Sequence, residues 1–361
     1  MKISDIDKNL AVDAKVGDEN TVFLDARQAP FTIHGVLPAD ETENYYRRMP
    51  QTVADSVSKG VSQLNHHTAG GRVRFRTDSP YVCIHTVQSC VTQMSHMAVC
   101  GIGGFDLYAS ADGEEHLYAG TFRPDFHMQD GYDSIVRLGD SRMRTITINM
   151  PLYGGVNELY IGLDKSAALE PAPAYRWEKP VAYYGSSITQ GGCASRPGNS
   201  YQAILTRRLD CDHINLGFSG SGKGEQEVAR HIASLELSAF VMDYDCNSPT
   251  VESLMATHEP FFRTIREAQP DLPIIFVSRP PMLVHEFSAR RFEVIAQTYL
   301  NARAAGDTNV YLVNGQQFYD EYAGDCATVD GLHPNDYGFA LMAKTLEPVL
   351  KKALMRESEK Y

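Results

Sequence analysis

The chain has 361 residues, 43% of them hydrophobic and 22% charged; that length is generous for a single domain and that composition ordinary for a globular one, so two domains are expected and disordered or fibrous classes are excluded. With 33 Lys and Arg against 45 Asp and Glu the formal net charge is −12, a surface that repels phosphate backbones and makes nucleic acid a poor partner. No apolar run is long enough to span a bilayer, and acidic residues interrupt the N-terminal segment where a signal peptide would need an apolar core.

The seven cysteines, Cys83, Cys90, Cys100, Cys193, Cys211, Cys246 and Cys326, are odd in number and show no CxxC spacing. Reduced thiols in a cytoplasm fit this better than a disulfide framework.

The first half reads as β-structure. Short segments rich in β-formers recur at 72–77 (RVRFRT), 81–87 (YVCIHTV), 105–109 (FDLYA), 115–122, 134–138, 145–151 and 158–163. Many alternate polar and apolar residues, as half-buried strands do. Turn clusters separate them: Ala69-Gly70-Gly71, Asp78-Ser79-Pro80, Ala111-Asp112-Gly113 and Tyr153-Gly154-Gly155. That spacing predicts a β-sandwich over residues 1–170. Pro171, Pro173 and Pro180 bracket a linker, placed at 171–179, because proline favours extended backbone and resists helix.

From residue 180 onward apolar runs at 181–184, 213–216, 239–243, 273–277 and 310–313 alternate with helical stretches at 201–208, 225–234, 251–268, 287–305 and 336–354. Five strands alternating with helices imply an α/β domain over 180–361, a parallel sheet with helices on both faces. Ligands of such sheets bind beyond the C-terminal strand ends, and chemistry-bearing residues gather there. Ser186 and Ser187 follow the first strand. Gly220 follows the second and Asn247 the third. Asp330 and His333 precede the last helix.

A serine hydroxyl needs an adjacent base to become a nucleophile. His333 can take its proton, and Asp330, three residues earlier, can orient the imidazole and stabilise its charged form. The Ser187 N–H, the Gly220 N–H and the Asn247 amide are candidate donors to an oxyanion. Taken singly each has an ordinary explanation. The serines could form a turn or an N-cap pair, Asp330 and His333 could cap the last helix with Pro334 in its first turn, Asn247 could be an N-cap, and Gly220 a tight turn. Their joint placement at strand ends is what points to acyl transfer.

The order of these blocks resembles the SGNH/GDSL hydrolases: a GDSxT-like block at 184–191, a glycine block, an asparagine block, then DxxHP at 330–334. The resemblance implies a three-layer, flavodoxin-like α/β/α domain, with Ser187 as nucleophile, Gly220 and Asn247 as oxyanion donors and Asp330 and His333 completing the triad. Ser186 stands where the family has Asp, so the nucleophile assignment could shift by one residue. The asparagine block, usually GxND, reads Asp245-Cys246-Asn247-Ser248. Gly104-Phe105-Asp106-Leu107-Tyr108 is similar to the GxDLY signature of β-domains, jelly-roll-like in architecture, that precede SGNH domains in a bacterial subgroup. Such fused esterases are often carbohydrate deacetylases. The implied substrate is therefore a small-molecule ester, an acetylated sugar by that analogy, hydrolysed without cofactor or metal; nothing in it speaks against a homo-oligomer. Arg196 and Asn199, in the small and polar loop 191–200, are candidate substrate contacts.

Other classes compete. An acylhydrolase or lipase, or a thioesterase acting on a non-carbohydrate ester, would use the same triad, and a sugar-binding protein could carry an inactive hydrolase domain. Residues 217–223 spell GxxxxGK, but Gly224 follows where a phosphate loop needs Ser or Thr for Mg²⁺. His285-Glu286 begins an HExxH-like string that fails at Ala289, and His66, His67, His85, His96 and His127 are scattered, so a metal centre is not expected. The GxSxG elbow of α/β-hydrolases is absent around Ser187.

Overall fold

The computed structural model describes residues 16–17, 19–40, 42–89, 91–111, 115–281, 288–319, 321–323 and 325–358. Cys90, the Asp112-Gly113 turn, the His285-Glu286 string, Phe287 and the N-terminal segment lie outside these. The chain forms two compact units. The first takes residues up to Arg48, His66–Ala174 and Ser195–Gly198; the second takes Met49–Asn65, Tyr175–Ala194 and the chain from Asn199 onward.

Chain order begins with β1 (Thr21–Asp25) and β2 (Thr32–His34), then passes through α1 (Gln51–Val57) and α2 (Lys59–Leu64) of the second unit. The first unit resumes with β3 (Arg72–Thr77), β4 (Tyr81–Ser89), α3 (Val99–Ile102), β5 (Phe105–Ser110), β6 (Leu117–Phe122), β7 (Gly131–Arg137), β8 (Arg144–Asn149), β9 (Gly155–Asp164) and β10 (Leu169–Glu170). Two antiparallel sheets result, one ordered β1-β9-β4-β7, the other β10-β3-β8-β5-β6 with β2 also paired to β3.

One apolar core joins them. Leu24, Val82, Ile84 and Ile161 enter it from the first sheet, and Val73, Phe75, Leu107 and Ile146 from the second. Alternate residues of each strand point inward, which is the pattern of a sandwich. On β9 the inward residues step from Val156 to Leu159 because the pairing with β4 slips between Val87 and Gln88, and a bulge restores the alternation. Strands β1, β2 and β10 were not separable in the sequence; β2 and β10 are three and two residues long, too short for a period to show.

The Gly104–Tyr108 segment shows what each of its residues does. A Cβ on Gly104 would sit 2.5 Å from the Cys100 carbonyl oxygen, so only glycine lets α3 lie against β5. Phe105 and Leu107 point into the core. Asp106 and Tyr108 face the other way and grip Ser195–Gly198. The fully buried Asp106 carboxylate accepts from Asn149 Nδ2 at 2.7 Å, Arg196 Nη1 at 2.7 Å and the Gly198 N–H at 2.8 Å. The Arg196 guanidinium also donates to the Tyr108 hydroxyl at 2.6 Å and lies 4.0 Å from the Tyr118 ring centroid. Asp106→Ala should therefore leave a partly buried guanidinium and two further donors without their carboxylate, at a cost of up to about 3–5 kcal/mol, with Asp106→Asn intermediate. A denaturant midpoint for Asp106→Ala close to that of the parent protein would contradict this reading of the motif.

In the second unit the strands are β11 (Trp177–Gly185), β12 (Cys211–Gly217), β13 (Ala239–Asp243), β14 (Ile274–Val277) and β15 (Val310–Val313). They form one parallel sheet in the order β12-β11-β13-β14-β15, a doubly wound arrangement with its switch point at the carboxyl ends of β11 and β13. The helices are α4 (Ser187–Gln190), α5 (Tyr201–Leu209), α6 (Gln226–Ala233), α7 (Val251–Ala268), α8 (Ser288–Ala304) and α9 (Asp336–Ser358). Neighbouring residues of β11 identify the two helical layers. Tyr183 packs edge-on against Tyr201 of α5, which stacks on Phe339 of α9, whereas Tyr184 stacks on Phe261 of α7 at 4.8 Å. Successive strand residues point to opposite faces, so the sheet is covered on both sides. None of the described helices is long and apolar enough to cross a membrane.

The boundaries expected from sequence differ from these units in three places. The expected β-domain includes residues 49–65, but Met49, Ala54 and Val61 belong to the core formed by Leu216, Phe218 and Val228 of the second unit. Residues 195–198 go with the first unit through the Asp106 grip. Strand β11 starts inside the expected linker, at Trp177; its pairing with β12 is interrupted between Trp177 and Val181, which accommodates Pro180, a residue with no N–H for a ladder.

Candidate active site

The chain leaves β11 at Gly185, where a Cβ would lie 2.0 Å from Thr189 Oγ1 and 2.2 Å from the Asp243 carbonyl oxygen. Only glycine fits between strand and turn. Ser186 then caps α4: its hydroxyl accepts from the Ile188 N–H at 3.1 Å, and Thr189 Oγ1 accepts from the Ser186 N–H at 3.2 Å. This capping box satisfies two donors of the helix start. It also sets the two serines apart. Ser186 is 1% exposed with its hydroxyl committed to the backbone, while Ser187 Oγ lies 2.9 Å from His333 Nε2. Serine and aspartate are equally good N-caps, which explains how Ser186 can stand in the block's usual Asp position.

Buried polar groups hold this turn from below. Thr189 Oγ1 and the Tyr201 hydroxyl both donate to Asp243 Oδ2, at 3.1 and 3.0 Å. The Thr189 carbonyl accepts from Gln202 Nε2 at 2.7 Å and from Asn215 Nδ2 at 2.8 Å. Burial, and then the charge of Asp245, push the Asp243 carboxyl well above the usual carboxylate range, against the opposing effect of its two hydroxyl partners. Sequence reading missed Thr189, Tyr201 and Asp243, since single hydroxyls and a strand-end Asp carry no periodic signal.

The second half of the site comes from one tight loop. Asp330 Oδ1 accepts the Leu332 and His333 N–H groups at 3.0 and 2.8 Å, and Oδ2 lies 2.7 Å from His333 Nδ1. Gly331 sits at φ +82°, and Thr328 bridges to Pro334. Partial burial raises the Asp330 carboxyl, but the bonds from His333 and Leu332 outweigh it and bring it down to about 2. The carboxylate is thus ionised at neutral pH and faces His333 Nδ1, while Nε2 on the other side of the ring faces Ser187 Oγ. The capping explanation for Asp330 and His333 is replaced: Asn335 caps α9, its Oδ1 accepting from Tyr337 and Gly338 N–H at 3.0 and 3.1 Å.

Gly220 lies in the loop after β12 at φ +64°, and its N–H has no hydrogen-bond acceptor among the described residues. Ser187 opens α4, at the end of a helix where the backbone N–H groups point outward. Asn247 differs from expectation. Its Nδ2 donates to the Phe218 and Gly222 carbonyls at 2.9 and 3.0 Å, pinning the Gly220 loop at both ends, with both amide hydrogens engaged. Its own turn is held by buried arginines: Arg279 pairs with Asp245 at 3.4 Å and Arg291 donates to the Asp245 and Ser248 carbonyls, both at 2.8 Å.

Asn199 closes the 3-10 turn Pro197–Asn199, and Arg196 is engaged by Asp106 as described. Cys193 is buried at φ 74°, and burial, reinforced by the charge of Asp330, pushes its thiol up to about 12, which keeps it protonated and unreactive. In the GxxxxGK loop the Lys223 N–H is taken by the Glu225 carboxylate at 3.0 Å, where a phosphate would be repelled. His85 pairs with Asp133 at 2.6 Å and His66 stacks on Tyr45, ordinary structural roles.

Residues 178–351 match the GDSL-like lipase/acylhydrolase family, and residues 21–169 match the GxDLY domain found at the N-terminus of SGNH-hydrolase-type esterases. The chain is a GDSL/SGNH-type carboxylic ester hydrolase. No curated protein sequence matches this hydrolase. Among solved structures it is similar to a GDSL-like lipase assigned in Bacteroides ovatus (27% identity, TM-score 0.83, covering 93% of this chain and 98% of that one). It is also similar in fold to the salicylyl-acyltransferase SsfX3 of a tetracycline biosynthetic pathway (20%, 0.75, covering 93% and 98%). A family two carbohydrate esterase from Clostridium thermocellum, solved with cellohexaose, shares the fold at 16% identity and a TM-score of 0.61, over 90% of this hydrolase and 99% of that chain.

Proposed function

We propose that this hydrolase removes small acyl groups, acetyl first among them, from a carbohydrate ester through an acyl-enzyme on Ser187. The observation that carries the reading is the continuous chain of bonds from Ser187 Oγ to His333 Nε2 at 2.9 Å and from His333 Nδ1 to Asp330 Oδ2 at 2.7 Å. Ser187 Oγ attacks the ester carbonyl carbon as its proton passes to His333 Nε2. The imidazolium, stabilised by Asp330, returns that proton to the departing sugar oxygen, which leaves as an alcohol. Water then attacks the acyl-serine with His333 again as base, releasing the carboxylic acid and restoring Ser187. The Ser187 and Gly220 N–H groups receive the negative charge on the carbonyl oxygen, and Asn247 acts by holding the Gly220 loop. No step calls for a cofactor.

Two features favour a short acyl group on a polar alcohol. The loop 191–200 is built of small and polar side chains, and the fold is shared with an esterase solved on an oligosaccharide. A fluorophosphonate should label Ser187, as mapped by peptide mass spectrometry, and acetylated oligosaccharides should be turned over faster than butyryl or longer esters. Labelling elsewhere would overturn the nucleophile, and a preference for long chains would overturn the acetyl assignment.

A further inference from the structure

The first unit carries a cavity of about 500 Å³ where β6 and β7, each at the edge of its own sheet, run beside residues 195 and 196. Its charged lining is Arg123, Arg137 and Arg196, and among the described residues no carboxylate lines it. That is unusual on a chain with 45 acidic residues against 33 basic ones. The Arg196 charge is answered by buried Asp106 at 2.7 Å. Arg123 and Arg137 are exposed and have no carboxylate partner among the described residues. Tyr118 and Thr121 line the same cavity with their hydroxyls 2.8 Å apart. A Cβ on Gly120 would lie 2.7 Å from the Val136 side chain, so glycine allows β6 and β7 to approach and close the floor.

We propose that this cavity is an anion-binding subsite that takes the acidic group of a charged glycan, a uronate carboxylate or a sulfate ester. Two guanidinium groups without a carboxylate partner among the described residues line the cavity, and their planar forks suit the oxygens of such a group, while the Tyr118 and Thr121 hydroxyls can serve a sugar's hydroxyls. The volume lies within the range of small-ligand sites. The carbohydrate part of this inference rests on the proposed function; the anion part rests on the cavity alone.

Calorimetric titration of the full chain with non-acetylated oligosaccharides of equal length, one bearing a uronate, one a sulfate and one neutral, tests it without turnover. At least one acidic ligand should bind about tenfold or more tightly than the neutral one, and which one does identifies the group. Added salt should weaken that preference, and the variant Arg123→Gln/Arg137→Gln should abolish it while hydrolysing p-nitrophenyl acetate at the parental rate. Equal binding of acidic and neutral ligands, or a preference that survives the double substitution, overturns the proposal. Binding of inorganic sulfate alone, with none of the oligosaccharides, overturns its glycan part. A chain that hydrolyses no sugar ester yet keeps the acidic preference separates failure of the proposed function from failure of this site.

Discussion

Ser187→Ala should lower kcat/KM for p-nitrophenyl acetate and for an acetylated sugar by about 10⁴–10⁶-fold and leave the unfolding midpoint almost unchanged. The hydroxyl is aimed at His333 Nε2 and is not the one that caps α4, so removing it takes away the proposed nucleophile and little of the scaffold. Ser186→Ala should do the reverse. Its hydroxyl is the acceptor for the Ile188 N–H in the capping box, so its loss should cost about 1 kcal/mol of stability and reduce turnover only as far as the turn loosens. Stopped assays and denaturant melts on the two variants side by side separate the roles. Should Ser186→Ala abolish turnover while Ser187→Ala keeps it, the nucleophile is the other serine and the proposed mechanism fails.

Asp330→Asn should reduce kcat by about 10³–10⁴-fold near neutral pH. An amide facing His333 Nδ1 can present its own N–H₂ and favour the tautomer that puts a proton on Nε2, where Ser187 needs an acceptor; it also withdraws the negative charge that stabilises the imidazolium. The pH behaviour follows from the direction of the shift. The Asp330 carboxyl is brought down to about 2 in the folded chain, below its ordinary value of about 3.9. Its contribution to stability is therefore complete above that ordinary value and is lost as pH falls through about 2. The part of the stability gap between parent and Asp330→Asn that comes from this carboxylate should be in place above pH 4 and disappear as pH falls toward 2. Any loss of activity between pH 5 and 7 is then not a titration of Asp330. A gap that persists undiminished down to pH 2 would show that the carboxylate is not held by His333 and Leu332 in solution.

Much of the catalytic unit was legible because its signals are local. Ala239–Asp243, Val251–Ala268 and Val310–Val313 occur where apolar runs and helical spacing place them. The DxxHP block also folds on itself: Asp330 reaches both the backbone and the ring of His333 within one turn. Three-residue spacing contained that geometry already.

The amino-acid sequence by itself determined, from residue 180 onward, the succession of strands and helices, the parallel sheet and the residue types available at its strand ends, because those depend on period and on neighbours a few positions away. Tertiary structure decided which serine faces the imidazole, since Ser186 and Ser187 differ only in whether the hydroxyl turns back to the Ile188 N–H or out to a ring 146 positions later in the chain. It decided that Asn247 pins a loop, that residues 49–65 pack with Leu216 and Phe218, and that Asp106 is the partner of Arg196, 90 positions away. In each case the deciding energy is a buried hydrogen bond, ion pair or apolar contact between distant segments, which exists only once the chain has closed on itself.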